Sequence, residues 1–207
     1  MSGEVFNEDY FLNGKKTGVS NYEDYRWLPE LTIPMAEKLK EFLRLDGYNT
    51  ILDFGCARGY LVKALEISGV NAEGYDSSKW AIENCDSEVK GKVYSELPDC
   101  IYDFIICKDV LEHLDITEAA DAIKKMVVRV RQDILIIVPL TKQHNGDYFR
   151  MEDDADATHK IRWTFMDWLT FLQETTGLNV LGTTHIEGLK PASKEVPGST
   201  GFFLIRK

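Results

Sequence analysis

The stretch Ile51-Leu52-Asp53-Phe54-Gly55-Cys56-Ala57-Arg58-Gly59 decides how this chain folds. Its first four residues are mostly apolar, and they give way at Gly55 to a run of small residues. This pattern predicts a short buried strand that ends in a tight turn. Residues 60–68 then have the pattern of a helix that stops at Gly69. In doubly wound α/β proteins, the turn between the first strand and its helix is where a nucleotide-like ligand binds.

Strands and helices alternate along the chain from this stretch to Pro139. Strands are predicted at residues 51–54, 71–75, 93–94, 104–107 and 134–138. Helices are predicted at residues 60–68, at 78–84 and from a capping box of Asp115 and Glu118 to about Val128. Such alternation is typical of a parallel sheet with helices on both faces.

The last third of the sequence has a different pattern. Thr164 and Asp167 form a capping box for a helix that ends at Gly177. Two strands follow at residues 179–186 and 201–206, joined by a Gly/Pro loop with no room for a helix. Strands joined without a crossover helix should be antiparallel. The predicted fold is therefore α/β and doubly wound, with a mostly parallel seven-stranded sheet and a C-terminal antiparallel hairpin.

The 207 residues are expected to form one domain with three parts. Residues 1–46 would form an aromatic lid segment and a helix with Pro34 in its first turn. Residues 47–139 would form the ligand-binding core, and residues 140–207 a polar loop, a helix and the hairpin. Residues 1–30, which form the lid segment, and the loop at 140–163 are expected to hold the specificity of the protein.

Composition and charge exclude several classes of function. The formal net charge is −10, and a chain this acidic lacks the basic surface that long nucleic acids require. No signal peptide or membrane-spanning run is visible, and the four cysteines include no CxxC pair. These features predict a cytoplasmic protein with reduced thiols and no membrane insertion, while its oligomeric state stays open.

Glycine spacing separates two kinds of nucleotide-binding turn. The dinucleotide pattern G-x-G-x-x-G, counted from Gly55, requires glycine at positions occupied by Ala57 and Tyr60. This mismatch disfavours a nicotinamide-dependent oxidoreductase. The pattern D-x-G-x-G-x-G instead matches at Asp53, Gly55 and Gly59, with Ala57 replacing one glycine.

That second pattern resembles motif I of class I S-adenosylmethionine-dependent methyltransferases. Tyr75-Asp76-Ser77 and the segment 102–114 resemble the family's motifs at the second and fourth strands, and the terminal hairpin is its seven-strand hallmark. The departures from the family are Ala57 and a very short third strand. The resemblance implies S-adenosylmethionine as cofactor and a small-molecule methyl acceptor, as in the ubiquinone-pathway O-methyltransferase-like group.

The resemblance also implies which residues bind the cofactor. Asp76 is expected to accept hydrogen bonds from the ribose hydroxyls, although it could also cap the helix that follows. Cys56 could equally be a small apolar filler of the core. The full predicted set is Asp53, Gly55, Cys56, Ala57, Gly59, Asp76, Ser77, Tyr94 and Lys108.

Two histidines are candidates for catalysis, with a hydroxyl favoured as the methyl acceptor. His113 follows the fourth strand, at the edge of the sheet where ligands bind, and His159 lies in the loop before Arg162-Trp163-Thr164. A histidine base with an ordinary pKa would titrate near pH 6–7. His144 and His185 have no supporting context and are expected at the surface.

Two alternatives remain open at this stage. Asp109-x-x-Glu112-His113 resembles the metal cluster of ubiquinone-pathway and small-RNA O-methyltransferases, with Asp109 in place of a glutamate. Residues at these spacings share one face of a helix and could bind a divalent metal, although a metal-free site is favoured. The second alternative is a methyltransferase-like subunit that binds the cofactor without turnover.

Overall fold

The computed structural model describes residues 5–207, except the side chains of residues 191 and 192. The first four residues of the predicted lid segment lie outside this range. Within it, seven strands form one sheet. They are β1 (Thr50–Phe54), β2 (Asn71–Tyr75), β3 (Val93–Tyr94), β4 (Tyr102–Lys108), β5 (Val130–Pro139), β6 (Asn179–Thr183) and β7 (Thr200–Arg206).

The strand order across the sheet is β3-β2-β1-β4-β5-β7-β6. The first five strands are parallel, and β7 pairs antiparallel with both β5 and β6. The predicted fold is therefore confirmed, including the terminal hairpin. The order reverses between β1 and β4, and the carboxyl ends of these strands open the crevice where doubly wound sheets bind ligands.

Helices and single helical turns precede β1 and occupy the connections between the strands. They are α1 (Glu8–Leu12), α2 (Gly14–Thr17), α3 (Pro29–Leu43), α4 (Tyr60–Ile67), α5 (Lys79–Glu83), α6 (Ile116–Val127), α7 (Met151–Asp154), α8 (Phe165–Thr176) and α9 (Pro191–Glu195). Two 3₁₀ turns lie at Ser87–Val89 and Leu111–His113.

The two faces of the sheet carry separate apolar cores. Successive strand residues point to opposite faces, so Ile105 packs against the core with α6 and α8, whereas Ile106 packs against the core with α3 and α4. Trp168 of α8 and Leu39 of α3 are completely buried on these two sides. Helices on both faces leave the carboxyl edge of the sheet as the place for a site.

The two predicted capping boxes are both present. Asp115 accepts from the amide of Glu118, and Thr164 accepts from the amide of Asp167. In each case the carboxylate of the second residue accepts a hydrogen bond from the backbone amide of the first residue. Gly177 ends α8 in the left-handed conformation, and the predicted end of this helix is therefore confirmed.

Several local predictions were wrong. The helix predicted with Pro34 in its first turn begins earlier, at Pro29, because the Leu28 carbonyl accepts from the amides of Leu31 and Thr32. The lid segment contains α1 and α2, although no helix was predicted before the one with Pro34. The connection between β6 and β7 contains the single turn α9, although its Gly/Pro loop was predicted to have no room for a helix. The polar region 140–163 likewise contains α7.

Strand ends also differ from the predictions. β5 begins at Val130 and not at residue 134, and β6 ends at Thr183 and not at residue 186. Among the described residues, no helix is both long enough and apolar enough to cross a membrane.

Candidate active site

A cavity of about 610 Å³ opens at the carboxyl ends of β1, β2 and β4. This volume is in the usual range for a small-molecule site. Its roof is formed by residues between Phe6 and Tyr25, which belong to the predicted lid segment and are called the N-terminal segment below. The turns after the three strands form its floor. The floor includes Gly55, Ala57, Asp76, Ser77, Lys108 and His113.

The turn after β1 requires unusual backbone angles. Gly55 has φ of +90°, and a Cβ at this position would lie 2.2 Å from Cγ2 of Val110. Ala57 has φ of +48°, the left-handed region that glycine adopts without cost. The departure from the family pattern is thus at a position where glycine would fit the backbone better.

Gly59 and Cys56 shape this turn from behind the cavity. Gly59 is the N-cap of α4 and has φ of +79°, and a Cβ there would lie 2.7 Å from Cγ2 of Val89. Cys56 is buried against Gly74, where an added Cβ would approach its Sγ to 2.6 Å. The structure therefore places both predicted residues in packing roles that support the turn.

Asp76 connects the turn after β1 to the turn after β2. One carboxylate oxygen accepts from the amide of Ala57 at 2.7 Å, and the other from the amide of Ser78 at 2.8 Å. Burial raises the pKa of Asp76, and these two amides oppose that rise. The helix cap itself is Ser78, so Asp76 keeps acceptor capacity that faces the cavity.

The other predicted cofactor residues lie in different surroundings. Asp53 is buried beneath the turn and lines a smaller neighbouring cleft, where burial raises its pKa to about 7. Lys108 lines the main cavity and donates to Asp109 at 2.5 Å. Tyr94 donates to the carbonyl of Gly91 at 2.8 Å, outside the cavity wall. Its cofactor contact stays a prediction.

The structure brings Glu112, His113 and His159 together. One potential ligand atom from each lies within 4.8 Å of the others, and the two imidazole rings are 4.7 Å apart between centroids. The segment that carries His159 is fixed here because the amides of Lys160 and Ile161 donate to the Glu112 carbonyl. Both predicted catalytic histidines therefore share one centre.

Asp109, which the sequence grouped with Glu112 and His113 as a possible metal ligand, lies outside this centre. Its carboxylate accepts from Lys108 and, at 2.6 Å, from Lys190 of the connection between β6 and β7. Burial acts to raise the pKa of Asp109, but the two ammonium groups outweigh it and hold that pKa well below its usual range.

Burial disfavours the charged forms of Glu112 and His113 in this centre. Both carboxylate oxygens of Glu112 are buried without a hydrogen-bond partner among the described residues. Burial, and then Asp109, raise the pKa of Glu112 well above its usual range. Burial and the neighbouring His159 lower the pKa of His113 to about 4, below the value expected from its sequence context. His113 is therefore neutral at physiological pH.

The N-terminal segment covers the cavity with aromatic side chains. They are Phe6, Tyr10, Phe11, Tyr22 and Tyr25. The segment is attached next to the cavity floor, because the hydroxyl of Ser78, which follows Ser77, donates to the Phe6 carbonyl. It also contacts the 140–163 region, since the amide of Ala157 donates to the Val19 carbonyl at 3.2 Å.

Sequence reasoning missed Tyr10, Asp156, Thr158 and Lys190 as individual site residues. None of them belongs to a motif, because each reaches the site through tertiary contacts from a distant segment. His144 is exposed and lies 3.1 Å from Asp167, and His185 is also exposed, as predicted.

Comparison with known proteins agrees with this architecture. The sequence model of a family described as a methyltransferase domain matches residues 28–188. The chain therefore belongs to this methyltransferase family, and its fold is that of the class I S-adenosylmethionine-dependent enzymes. No curated protein sequence matches it significantly.

Solved structures show the same fold at low sequence identity. An S-adenosylmethionine-dependent methyltransferase from Archaeoglobus fulgidus has a TM-score of 0.59 at 18% identity, over 83% of this chain and 92% of that one. One from Clostridium acetobutylicum has a TM-score of 0.61 at 11% identity, over 86% and 91%. Mitomycin 7-O-methyltransferase has a TM-score of 0.59 at 16% identity, over 86% and 54%.

Proposed function

We propose that this chain transfers the methyl group of S-adenosylmethionine to a hydroxyl group of a small molecule. The observation that carries the proposal is the composition of the cavity. One side presents Asp76 and the turn after β1, and the other presents His113, whose ring contacts His159, under aromatic side chains. The likeness to mitomycin 7-O-methyltransferase is compatible with this choice of acceptor.

The cofactor side fits S-adenosylmethionine through residues of known placement. When bound, the cofactor supplies an electrophilic methyl group on a positively charged sulfur. Asp76 accepts from its ribose hydroxyls, and the small residues Gly55 and Ala57 allow close approach to the main chain. Ser77 and Lys108 line the same wall, while Asp53 lies buried beneath it.

The aromatic roof serves two purposes in this proposal. Its rings exclude water from the reacting groups, and an aromatic face near a cation is favourable by about 0.5–2 kcal/mol. Tyr10 and Phe11 are almost completely buried, so the roof is packed against the body of the protein. Alignment of acceptor and methyl donor in such a site can supply about 7–11 kcal/mol.

His113 accepts the proton of the acceptor hydroxyl. The side chain lines the cavity and is neutral at physiological pH because burial lowers its pKa. A positioned base contributes about 10²–10⁴-fold to the rate. His159 contacts the ring of His113 and helps to orient it.

The roof and the 140–163 region are proposed to act together as a lid. Their contacts include the hydrogen bond from Tyr10 to Asp156 and that from Asn21 to the Glu152 carbonyl. We expect slower hydrogen exchange in both segments when S-adenosylhomocysteine, the demethylated product, is added. Equal protection with and without this ligand would reject the lid.

A metal-dependent reaction, with a divalent cation bound by Glu112, His113 and His159, is a second candidate for the mechanism of this methyl transfer. The buried carboxylate of Glu112 has no other partner among the described residues, and one oxygen with two imidazole nitrogens suits a transition metal. A cation there would supply Lewis-acid activation of the acceptor oxygen.

Calorimetric titration of Zn²⁺ and Mn²⁺ into the protein distinguishes the metal-dependent mechanism from the metal-free mechanism. A metal site predicts binding to the wild type and at least tenfold weaker binding to Glu112→Gln. Glu96→Gln, which removes a carboxylate elsewhere in the cavity wall, is the matched control. Absence of binding to the wild type would reject the cation and leave His113 as a base.

The acceptor class is tested with isotope-labelled S-adenosylmethionine and a cell extract that is separated afterwards into small-molecule and macromolecular fractions. The proposal predicts a labelled product whose methyl group is bonded to oxygen, detected by mass spectrometry. A product methylated on nitrogen or carbon would contradict hydroxyl transfer. Label incorporated only into macromolecules would contradict the small-molecule acceptor.

A further inference from the structure

Four side chains from three distant segments form one chain of hydrogen bonds beside the cavity. Tyr10 Oη donates to Oδ2 of Asp156 at 3.3 Å, and Oδ1 of Asp156 accepts from the hydroxyl of Thr158. The Thr158 Oγ1 atom lies 2.8 Å from Nδ1 of His113. Asp156 and His113 are each only 7% exposed, and Thr158 between them is half-buried.

The direction of each hydrogen bond follows from counting protons. Thr158 has one hydroxyl hydrogen, and the Asp156 carboxylate can only accept. Oδ1 of Asp156 also accepts from the Thr158 amide at 2.9 Å, which fixes the residue in an orientation facing the carboxylate. The hydroxyl hydrogen therefore points to Asp156, and Thr158 Oγ1 accepts from His113. The proton of the neutral imidazole then lies on Nδ1.

We propose that Asp156 and Thr158 are positioning residues that hold His113 as the Nδ1–H tautomer and leave its Nε2 lone pair free. The catalytic consequence rests on the proposed function, because Nε2 is the atom that would receive the acceptor proton. The tautomer itself does not depend on that function. It follows from the hydrogen bonds, since the partner of one ring nitrogen determines the state of the other.

The surroundings of the ring support this assignment. Phe6 packs edge-on against His113 at 5.4 Å between centroids, and His159 packs at 4.7 Å on another side. These contacts restrict rotation of the ring and keep Nδ1 towards Thr158. His159 is held in the same way, because its Nδ1 can only donate to the Asp153 carbonyl at 2.8 Å.

Tyr10 links this arrangement to the N-terminal segment. Its hydroxyl donates to Oδ2 of Asp156, the oxygen that Thr158 does not contact. Tyr10 belongs to α1, which forms part of the roof. We therefore expect His113 to be best ordered when the roof lies over the cavity. Tyr10→Phe, which removes only this hydroxyl, should have a smaller effect than loss of the Thr158 hydroxyl.

Nitrogen-15 NMR of the histidine side chains, recorded at neutral pH with a chelator present, reads the tautomer directly. The wild type should show His113 with a protonated Nδ1 and an unprotonated Nε2. Thr158→Val should give a mixed or reversed tautomer, whereas Thr158→Ser should restore the wild-type signal. Thr117→Val, at an exposed position of α6, is the matched control. A wild-type His113 signal in Thr158→Val would overturn the proposal.

Kinetic measurements then separate positioning from folding. Thr158→Val should lower kcat roughly 10- to 100-fold with little change in the KM for S-adenosylmethionine, and Thr158→Ser should recover most of it. If Thr158→Val is fully active while His113→Gln is inactive, the positioning role is wrong and the proposed function stands. If His113→Gln is fully active, the proposed base is wrong, whereas the NMR result still decides the tautomer.

Discussion

The two sides of the cavity are built in different ways. The proposed cofactor side comes from adjacent turns: Gly55 and Ala57 follow β1, and Asp76 follows β2. The proposed acceptor side combines His113 after β4 with His159 of the 140–163 region and Tyr10 of the N-terminal segment, whose rings contact that of His113. Local backbone geometry therefore determines the first side, whereas long-range packing determines the second. Substitutions on the two sides should affect different measured quantities.

The largest expected effect is on the acceptor side. His113→Gln removes the proposed base and should lower turnover about 10²–10⁴-fold, while affinity for S-adenosylhomocysteine stays within about twofold. Methyl-transfer kinetics on an identified acceptor and calorimetry measure the two quantities. His144→Gln, at an exposed position, should leave both unchanged. Full turnover in His113→Gln would show that positioning alone drives the reaction.

The second prediction concerns the buried charge beneath the cofactor side. Burial raises the pKa of Asp53 to about 7 in the folded protein, whereas an unfolded aspartate has a pKa of about 3.9. Between these values the folded state holds a proton that the unfolded state has lost. The stability that this proton contributes is complete below about pH 4 and is lost as the pH rises through 7.

Asp53→Asn should therefore remove part of the pH dependence of stability. Relative to this variant, the wild type should lose about 2 kcal/mol of unfolding free energy between pH 5 and pH 7. Urea denaturation at both pH values measures the difference. Asp99→Asn, whose side chain is fully exposed, is the control. Parallel pH profiles for wild type and Asp53→Asn would contradict the buried, protonated carboxyl.

The smallest expected effect is at the residue that departs from the family pattern. Ala57→Gly removes a Cβ from a backbone with φ of +48°, and should raise the unfolding free energy by up to about 1 kcal/mol. Ala120→Gly, in the interior of α6, should instead lower it by about 1 kcal/mol. Urea denaturation of both variants tests the contrast. Equal destabilisation of the two would remove the role assigned to the turn.

The sequence predicted the body of the fold because its signals are local. Strand β2 and the two-residue β3 were predicted with their observed ends, and the glycines at 55 and 59 lie where the backbone requires positive φ. Helix α1 was missed because it has five residues and no periodicity. It depends on a cap by Asn7 and on the burial of Tyr10 and Phe11.

The acceptor side could be predicted only in part. His113 and His159 were identified from their positions in the sequence, but their contact depends on hydrogen bonds to the Glu112 carbonyl. The interaction of Asp109 with Lys190 spans 81 residues, and no spacing rule indicates it. Charges that meet through tertiary contacts leave no local pattern in the sequence.

The most direct test of this account is calorimetric titration of S-adenosylhomocysteine into the wild type, Asp76→Ala and His113→Gln. Loss of a buried charged acceptor should weaken binding to Asp76→Ala roughly 10- to 150-fold, whereas His113→Gln should bind like the wild type. Asp99→Ala is the matched control for Asp76→Ala. Wild-type affinity in Asp76→Ala, or a wild type that does not bind, would contradict the assignment of this cavity to the cofactor.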